Sequence, residues 1–106
     1  MTRGDVFRVR LPQGRGRGRE QRGARYAVII QADALLGLST AVVAPTSRSA
    51  AAATFRPEVQ VAGDTTRVLI EQLRAVDLDR LEGFVGRIAP EEQMAVDEAL
   101  ELVLGL

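Results

Sequence analysis

The chain has no cysteine, no histidine, no tryptophan and no lysine. Without cysteine it forms no disulfide and no thiolate metal site. Without histidine it lacks the usual acid–base group at neutral pH and the commonest metal ligand. A Ser-His-Asp arrangement is excluded, so any catalysis must run on carboxylates, hydroxyls and arginine. Aromatics are scarce: Phe7, Tyr26, Phe55 and Phe84 are the full set, and a core must rest on Val, Leu, Ile and Ala. No apolar run nears the roughly 18 residues of a membrane span. No charged n-region followed by an apolar h-region opens the chain. A cytoplasmic protein is expected. At 106 residues, one domain spanning 1–106 with a modest core is expected.

What is present is arginine, unevenly placed. Net charge is zero, yet residues 1–60 carry 10 arginines against 4 carboxylates and residues 61–106 carry 4 against 10, or +6 and −6. A basic face with an acidic back points to a polyanionic partner or to self-association of opposite surfaces.

Phe7, Val9 and Leu11 alternate with Arg8 and Arg10, which predicts a half-buried strand ended by Pro12. From Gln13 to Gly23 the chain is mostly Gly and Arg and has little to bury, so a mobile loop over 12–24 is expected. It does not match a phosphate-cradling P-loop, because no Gly-Lys-Ser/Thr follows. Its arginines Arg15, Arg17, Arg19 and Arg22 suit bidentate contact with phosphates. A second strand is predicted over Tyr26–Gln31, then a turn at 32–36. A third runs over Leu38–Ala44, halted at Pro45, with Thr46, Ser47 and Arg48 delivered at its end. Phe55–Val61 reads as an edge strand because of Pro57, Ala62-Gly63-Asp64 as a turn, and Arg67–Leu73 as a fifth strand. A 3₁₀ or helical turn is expected near 76–81 and a last strand over Glu82–Ile88. Pro90-Glu91-Glu92 starts a helix that runs to Leu104 and stops at Gly105. Met94, Val96, Ala99, Leu100, Val103 and Leu104 form its apolar face. Closely spaced strands followed by one helix predict an α+β fold: a small, strongly curved antiparallel sheet or barrel with a C-terminal helix.

No carboxylate cluster offers a metal site, and no cofactor motif is present. What remains is Glu20 and Arg25 near the second strand, with Thr46 and Ser47 at the end of the third. A carboxylate, a guanidinium and a hydroxyl suit cleavage of an RNA phosphodiester by its own 2′-OH. There the substrate carries the nucleophile, and the protein moves protons and stabilises charge on phosphorus.

Several segments carry a resemblance: the opening RGDVF, the E-Q-x-G-x-R segment running into AVIIQ, the VVAPTS stretch, and LIEQLRAVD followed by Arg80-Leu81. Together they resemble MazF/PemK-type toxins, the endoribonucleases of type II toxin–antitoxin modules, over nearly the whole chain. The resemblance implies an SH3-like barrel of the CcdB/PemK kind, a two-fold homodimer and a cognate antitoxin. It also implies metal-independent cleavage of single-stranded mRNA at a short motif, leaving a 2′,3′-cyclic phosphate and a 5′-hydroxyl. By position, Glu20, Arg25 and Thr46 match the family's motif glutamate, arginine and threonine. Arginine stays protonated and is a poor base. Arg25 is therefore expected to stabilise the phosphorane and to protonate the leaving oxygen, with Glu20 as the base. Thr46, or Ser47 in its place, is expected to donate to a phosphate oxygen, with Arg25 facing Thr46 across the sheet. Tyr26, Ser47, Arg48 and Gln72, with the loop arginines, are the candidate RNA contacts.

The structural alternatives are an ion pair of Arg25 with Asp33 or Glu71, a turn cap at Thr46, and Glu20 as a lone counter-charge in the loop. Tyr26 replaces a common proline and Ala32 a common asparagine of the family pattern, which bears on sequence specificity. A gyrase-poisoning toxin of the same fold and a non-catalytic RNA-binding barrel are the alternative functions.

Overall fold

The computed structural model describes residues 1–11 and 23–106, with only the backbone of 23 and 24. Among the described residues seven strands form one sheet. They are β1 (Asp5–Leu11), β2 (Gly23–Ile29), β3 (Thr40–Ser47), β4 (Glu58–Val61), β5 (Asp64–Val68), β6 (Arg74–Asp77) and β7 (Leu81–Arg87), followed by helix α1 (Pro90–Leu104). The order is β4-β5-β3-β2-β1-β7, with β6 also paired to β3, and all pairings are antiparallel. The end strands β4 and β7 come into contact. The result is a curled antiparallel half-barrel with one C-terminal helix, as the strand spacing predicts.

The sheet separates two apolar clusters, as alternation requires of strands covered on both faces. Val6, Val28, Ala44, Val59, Val61, Val68 and Ile70 pack with Val96, Ala99 and Leu100 of α1. Val9, Leu11, Ala27, Ile29, Val43 and Val76 form the second. At ~25 cal/mol per Å² of apolar area, these valine-rich clusters are the main stabilising term. The helix buries a narrower face than expected: Val96, Ala99 and Leu100 are buried and Val103 packs against them, while Met94 and Leu104 are exposed.

Pro45 does not end β3. The strand runs on to Ser47 because it changes partner there: residues 40–43 pair with β6 and 46–47 with β5. The N–H and C=O of a strand residue point to the same side. The Pro45 carbonyl accepts from Leu69 N–H at 2.8 Å, so its missing N–H would point into the break between β6 and β5, where no ladder bond is needed.

Other boundaries move for similar reasons. β2 begins at Gly23, opposite Leu11, so the expected loop 12–24 yields its last two residues to a strand, and residues 12–22 lie outside the described residues. The predicted strand 67–73 is β5 plus a 3₁₀ turn over Ile70–Gln72, which β6 follows. Ala62 (φ 52°) and Gly63 (φ 84°) form the two-residue hairpin between β4 and β5, the positive-φ pair of a type I′ turn.

The chain start is clasped to this frame. Arg3 donates from its backbone N to Asp33 Oδ1 (2.6 Å), from Nε to the Ile30 carbonyl (2.8 Å) and from Nη2 to Asp97 Oδ1 (2.7 Å). Thr2 Oγ1 donates to Asp33 Oδ2 at 2.7 Å. Asp5, only 3 % exposed, accepts from Thr2 N (2.8 Å) and Arg87 Nε (2.9 Å). Gly4 between them has φ +93°, a conformation that favours glycine, and a Cβ there would also push aside the Gln93 amide, whose Oε1 lies 2.6 Å away. At the helix start the Glu92 carboxylate accepts from Ala89 N and from Gln60 N, each at 2.7 Å. One side chain thus satisfies an orphan donor of the helix end and an edge N–H of β4.

Candidate functional site

Where β2 begins and β3 ends, the curl of the sheet opens a cleft of about 570 Å³ lined by Arg8, Arg25, Tyr26, Thr46, Ser47, Arg48, Ser49, Val61, Asp64 and Thr66. Burial sorts them by depth. Thr46, Val61 and Thr66 are buried at the floor, Tyr26 and Ser47 are half-buried, and Arg8, Arg25, Arg48, Ser49 and Asp64 are exposed at the rim. Three guanidinium groups against one carboxylate make the described cleft cationic.

The register explains this gathering. β2 and β3 pair as Val28↔Ala44 and Ala27↔Pro45. One step further, Thr46 Oγ1 donates to the Tyr26 carbonyl at 2.9 Å. Thr46 is therefore set against Tyr26 rather than directly against Arg25, and it shares the cleft with Arg25. It is no turn cap, since it lies within β3. Its proton is committed to Tyr26, so donation to a phosphate requires that bond to be exchanged. Ser47 Oγ lies 3.3 Å from Ser49 Oγ.

The rim cations differ in their partners. Arg48 reaches Asp64 at 3.3 Å and Arg8 reaches Glu82 at 3.6 Å. The Arg25 guanidinium makes no ion pair or hydrogen bond among the described residues. The two carboxylates that sequence reasoning offered it are occupied: Asp33 holds Thr2 and Arg3, and Glu71 holds Arg56 at 2.6 Å. An exposed cation in a cleft with buried hydroxyls, and with no partner among the described residues, suits an anion.

Gln72 departs from expectation. It closes the 3₁₀ turn, its N–H bonding the Leu69 carbonyl at 2.9 Å, and it is not among the described residues lining the cleft. Glu20, Arg15, Arg17, Arg19 and Arg22 lie outside the described residues. Sequence reasoning missed Arg8, Asp64 and Thr66. The alternation of β1 marked Arg8 as outward, and its pairing with Tyr26 brings it to the cleft. No comparable signal marked Thr66, which depends on β5 folding back along β3. No group of three or more potential metal-ligating side chains occurs among the described residues, and none of their helices is long and apolar enough to cross a membrane.

The architecture is that of MazF. The crystal structure of MazF from Deinococcus radiodurans (Form-I) superimposes with a TM-score of 0.86 at 22% identity, covering 100% of this chain and 97% of that one. An "endoribonuclease in complex with its cognate antitoxin from Mycobacterial species" gives a TM-score of 0.76 at 20% identity, covering 100% and 96%. In sequence, "Putative toxin Rv3098A/RVBD_3098A" of Mycobacterium tuberculosis is 42% identical over 107 residues, covering 100% of this chain and 99% of that protein. The family model described as "PemK-like, MazF-like toxin of type II toxin-antitoxin system" matches residues 2–104. The chain therefore belongs to the PemK-like, MazF-like family, as a toxin of a toxin–antitoxin module.

Proposed function

We propose that this toxin is an endoribonuclease that cleaves single-stranded mRNA within the cleft where β2 begins and β3 ends. The observation that carries the reading is the Arg25 guanidinium, without a partner among the described residues, in one cleft with the buried threonines Thr46 and Thr66. Family membership and the endoribonucleases of the same fold support it.

In this reading the 2′-oxygen of the substrate attacks the adjacent phosphorus and the bond to the 5′-oxygen breaks. The products are a 2′,3′-cyclic phosphate and a 5′-hydroxyl. One proton leaves the 2′-OH and one reaches the departing 5′-oxygen. Arg25 stabilises the charge on the phosphorane oxygens through its planar fork, and stabilisation of this kind is worth about 100- to 1,000-fold in rate. It also stands closest in type to the donor for the leaving group. Glu20 is the base candidate, and Thr46 binds the phosphate once RNA displaces the Tyr26 carbonyl as its acceptor. Ser47, Arg48, Tyr26 and the loop arginines Arg15, Arg17, Arg19 and Arg22 contribute affinity, and no metal takes part. The chain works as a homodimer and is held inactive by a cognate antitoxin. The apolar side chains left exposed on and after α1, Met94, Leu102, Leu104 and Leu106, support a partner chain.

The test is incubation of the purified toxin with defined single-stranded RNA in EDTA, followed by analysis of the product ends. Cyclic phosphate and 5′-hydroxyl ends, absent with Arg25→Ala, are expected. RNA that is bound but left intact at every sequence tried would refute the reading. A DNA strand of the same sequence is expected to survive, because it lacks the 2′-OH.

A further inference from the structure

We infer that the Thr66 hydroxyl reads the edge of a nucleobase at the floor of the cleft, and is a determinant of which RNA sequence is cut. The inference rests on the ribonuclease reading above. Thr66 is 4 % exposed, and its Oγ1 is the buried side-chain N or O atom without a hydrogen-bond partner among the described residues. The other buried polar side chains are satisfied: Asp5 by Thr2 and Arg87, and Thr46 by the Tyr26 carbonyl. An orphaned hydroxyl costs stability, so its presence needs a reason outside the fold.

Packing supplies none. Thr66 stands opposite Val59, two residues from Val68 on the same face of β5, with Val61 close by. Its surroundings are valines, and a valine would fill the same volume without the buried hydroxyl. Val68 is in turn opposite Thr46, so the two threonines lie on one face of the sheet, diagonal to each other. A staggered χ1 rotation exchanges methyl and hydroxyl in a threonine, so Oγ1 changes its facing without the strand moving.

Depth decides which part of RNA meets it. The guanidinium groups of Arg8, Arg25 and Arg48 are at the exposed rim, where phosphate keeps part of its hydration. Thr46 is followed in the chain by Ser47 and the rim residue Arg48, whereas a phosphate sinking to Thr66 among Val59, Val61 and Val68 would lose that hydration among apolar groups. A base loses little there: its flat face is apolar and packs on a ring such as that of Tyr26. Only its edge then requires a partner. The Thr66 hydroxyl, with both proton and lone pairs unspent, donates or accepts as that edge demands.

The experiment maps product ends after cleavage of a mixed-sequence single-stranded transcript by wild type, Thr66→Val and Thr66→Ser, and records the thermal midpoint of each protein without RNA. Thr66→Val is expected to melt no lower than wild type and to lose about tenfold in preference for the base at one position of the site. Thr66→Ser is expected to keep that preference, which a merely structural hydroxyl would not explain. An unchanged preference in Thr66→Val, whether its midpoint falls or holds, overturns the inference while leaving the ribonuclease reading intact. A wild type that leaves every transcript whole overturns both. Should Thr66→Val not fold, Thr66→Ala serves as the hydroxyl-free variant with the same two outcomes.

Discussion

The two ends of β2 are built on opposite principles. Just beyond its last residues, Ile30 and Asp33 take part in a clasp in which every charged group has a partner: the Arg3 guanidinium pairs with Asp97 and Arg87 with Asp5, while the Asp33 carboxylate accepts from the Arg3 backbone N–H and the Thr2 hydroxyl. At its start, Arg25 has no partner among the described residues and Thr66, nearby in the cleft, has an idle hydroxyl. Charged groups that hold a fold together find one another, because an unpaired polar group costs more than a paired one returns. Groups that wait for a ligand are left open. Partnering and position together set Arg25 apart from Arg3 and Arg87: it has no partner among the described residues and it lines the cleft.

The contrast can be broken by substitution. The largest effect is expected from Arg25→Ala, which should lower the rate of RNA cleavage by about 100- to 1,000-fold, measured by single-turnover kinetics on a defined substrate. Arg3→Ala should do the reverse. Losing its side-chain bonds to Ile30 and Asp97 is expected to cost roughly 2 kcal/mol in urea unfolding, with cleavage per folded molecule unchanged.

Acid should loosen the clasp. The Arg3 N–H and the Thr2 hydroxyl hold the Asp33 carboxyl below the ordinary aspartate value. Burial pushes Asp97 up, but the hydrogen bonds from Gln93 and Arg3 outweigh it and the net shift is downward. A depressed carboxyl contributes its full stability above the unfolded aspartate value, near ~3.9, and loses it as pH falls through the folded value. Carboxyl titration by NMR should give midpoints for both residues below that of an unstructured aspartate, and the amides of residues 2–5 should exchange faster below those midpoints. The smallest effect is expected at the hairpin. Ala62 holds φ 52°, so Ala62→Asn, which tolerates that region better, should stabilise by a few tenths to about 1 kcal/mol in the same urea assay.

Local pattern carried much of this into the sequence. The alternation of β1, the Pro90 start and Gly105 stop of α1, and the turn at Ala62-Gly63 depend on neighbours in the chain and were legible. Pro45 was misread because its tolerance depends on β3 changing partner at that residue, which no local signal encodes. Met94 and Leu104 fit a helical stripe, but how much of a stripe is covered depends on the sheet beneath it. At the site, Arg25, Tyr26, Thr46, Ser47 and Arg48 were found from motif and strand ends and do line one cleft. Gln72 lies in a 3₁₀ turn rather than on the expected strand and is not among the described residues lining the cleft. Thr66 was invisible because a threonine in a strand reads as ordinary until its burial and its empty hydrogen-bond ledger are seen.

The most direct test of the contrast is the thermal midpoint of Arg25→Ala beside that of Arg3→Ala, measured on the same preparations used for cleavage. If partnering marks the division, Arg25→Ala melts with wild type, within about 0.5 kcal/mol of stability, and does not cut RNA, while Arg3→Ala melts early and cuts normally. An Arg25→Ala protein that melts as early as Arg3→Ala, or that still cuts at the wild-type rate, contradicts it.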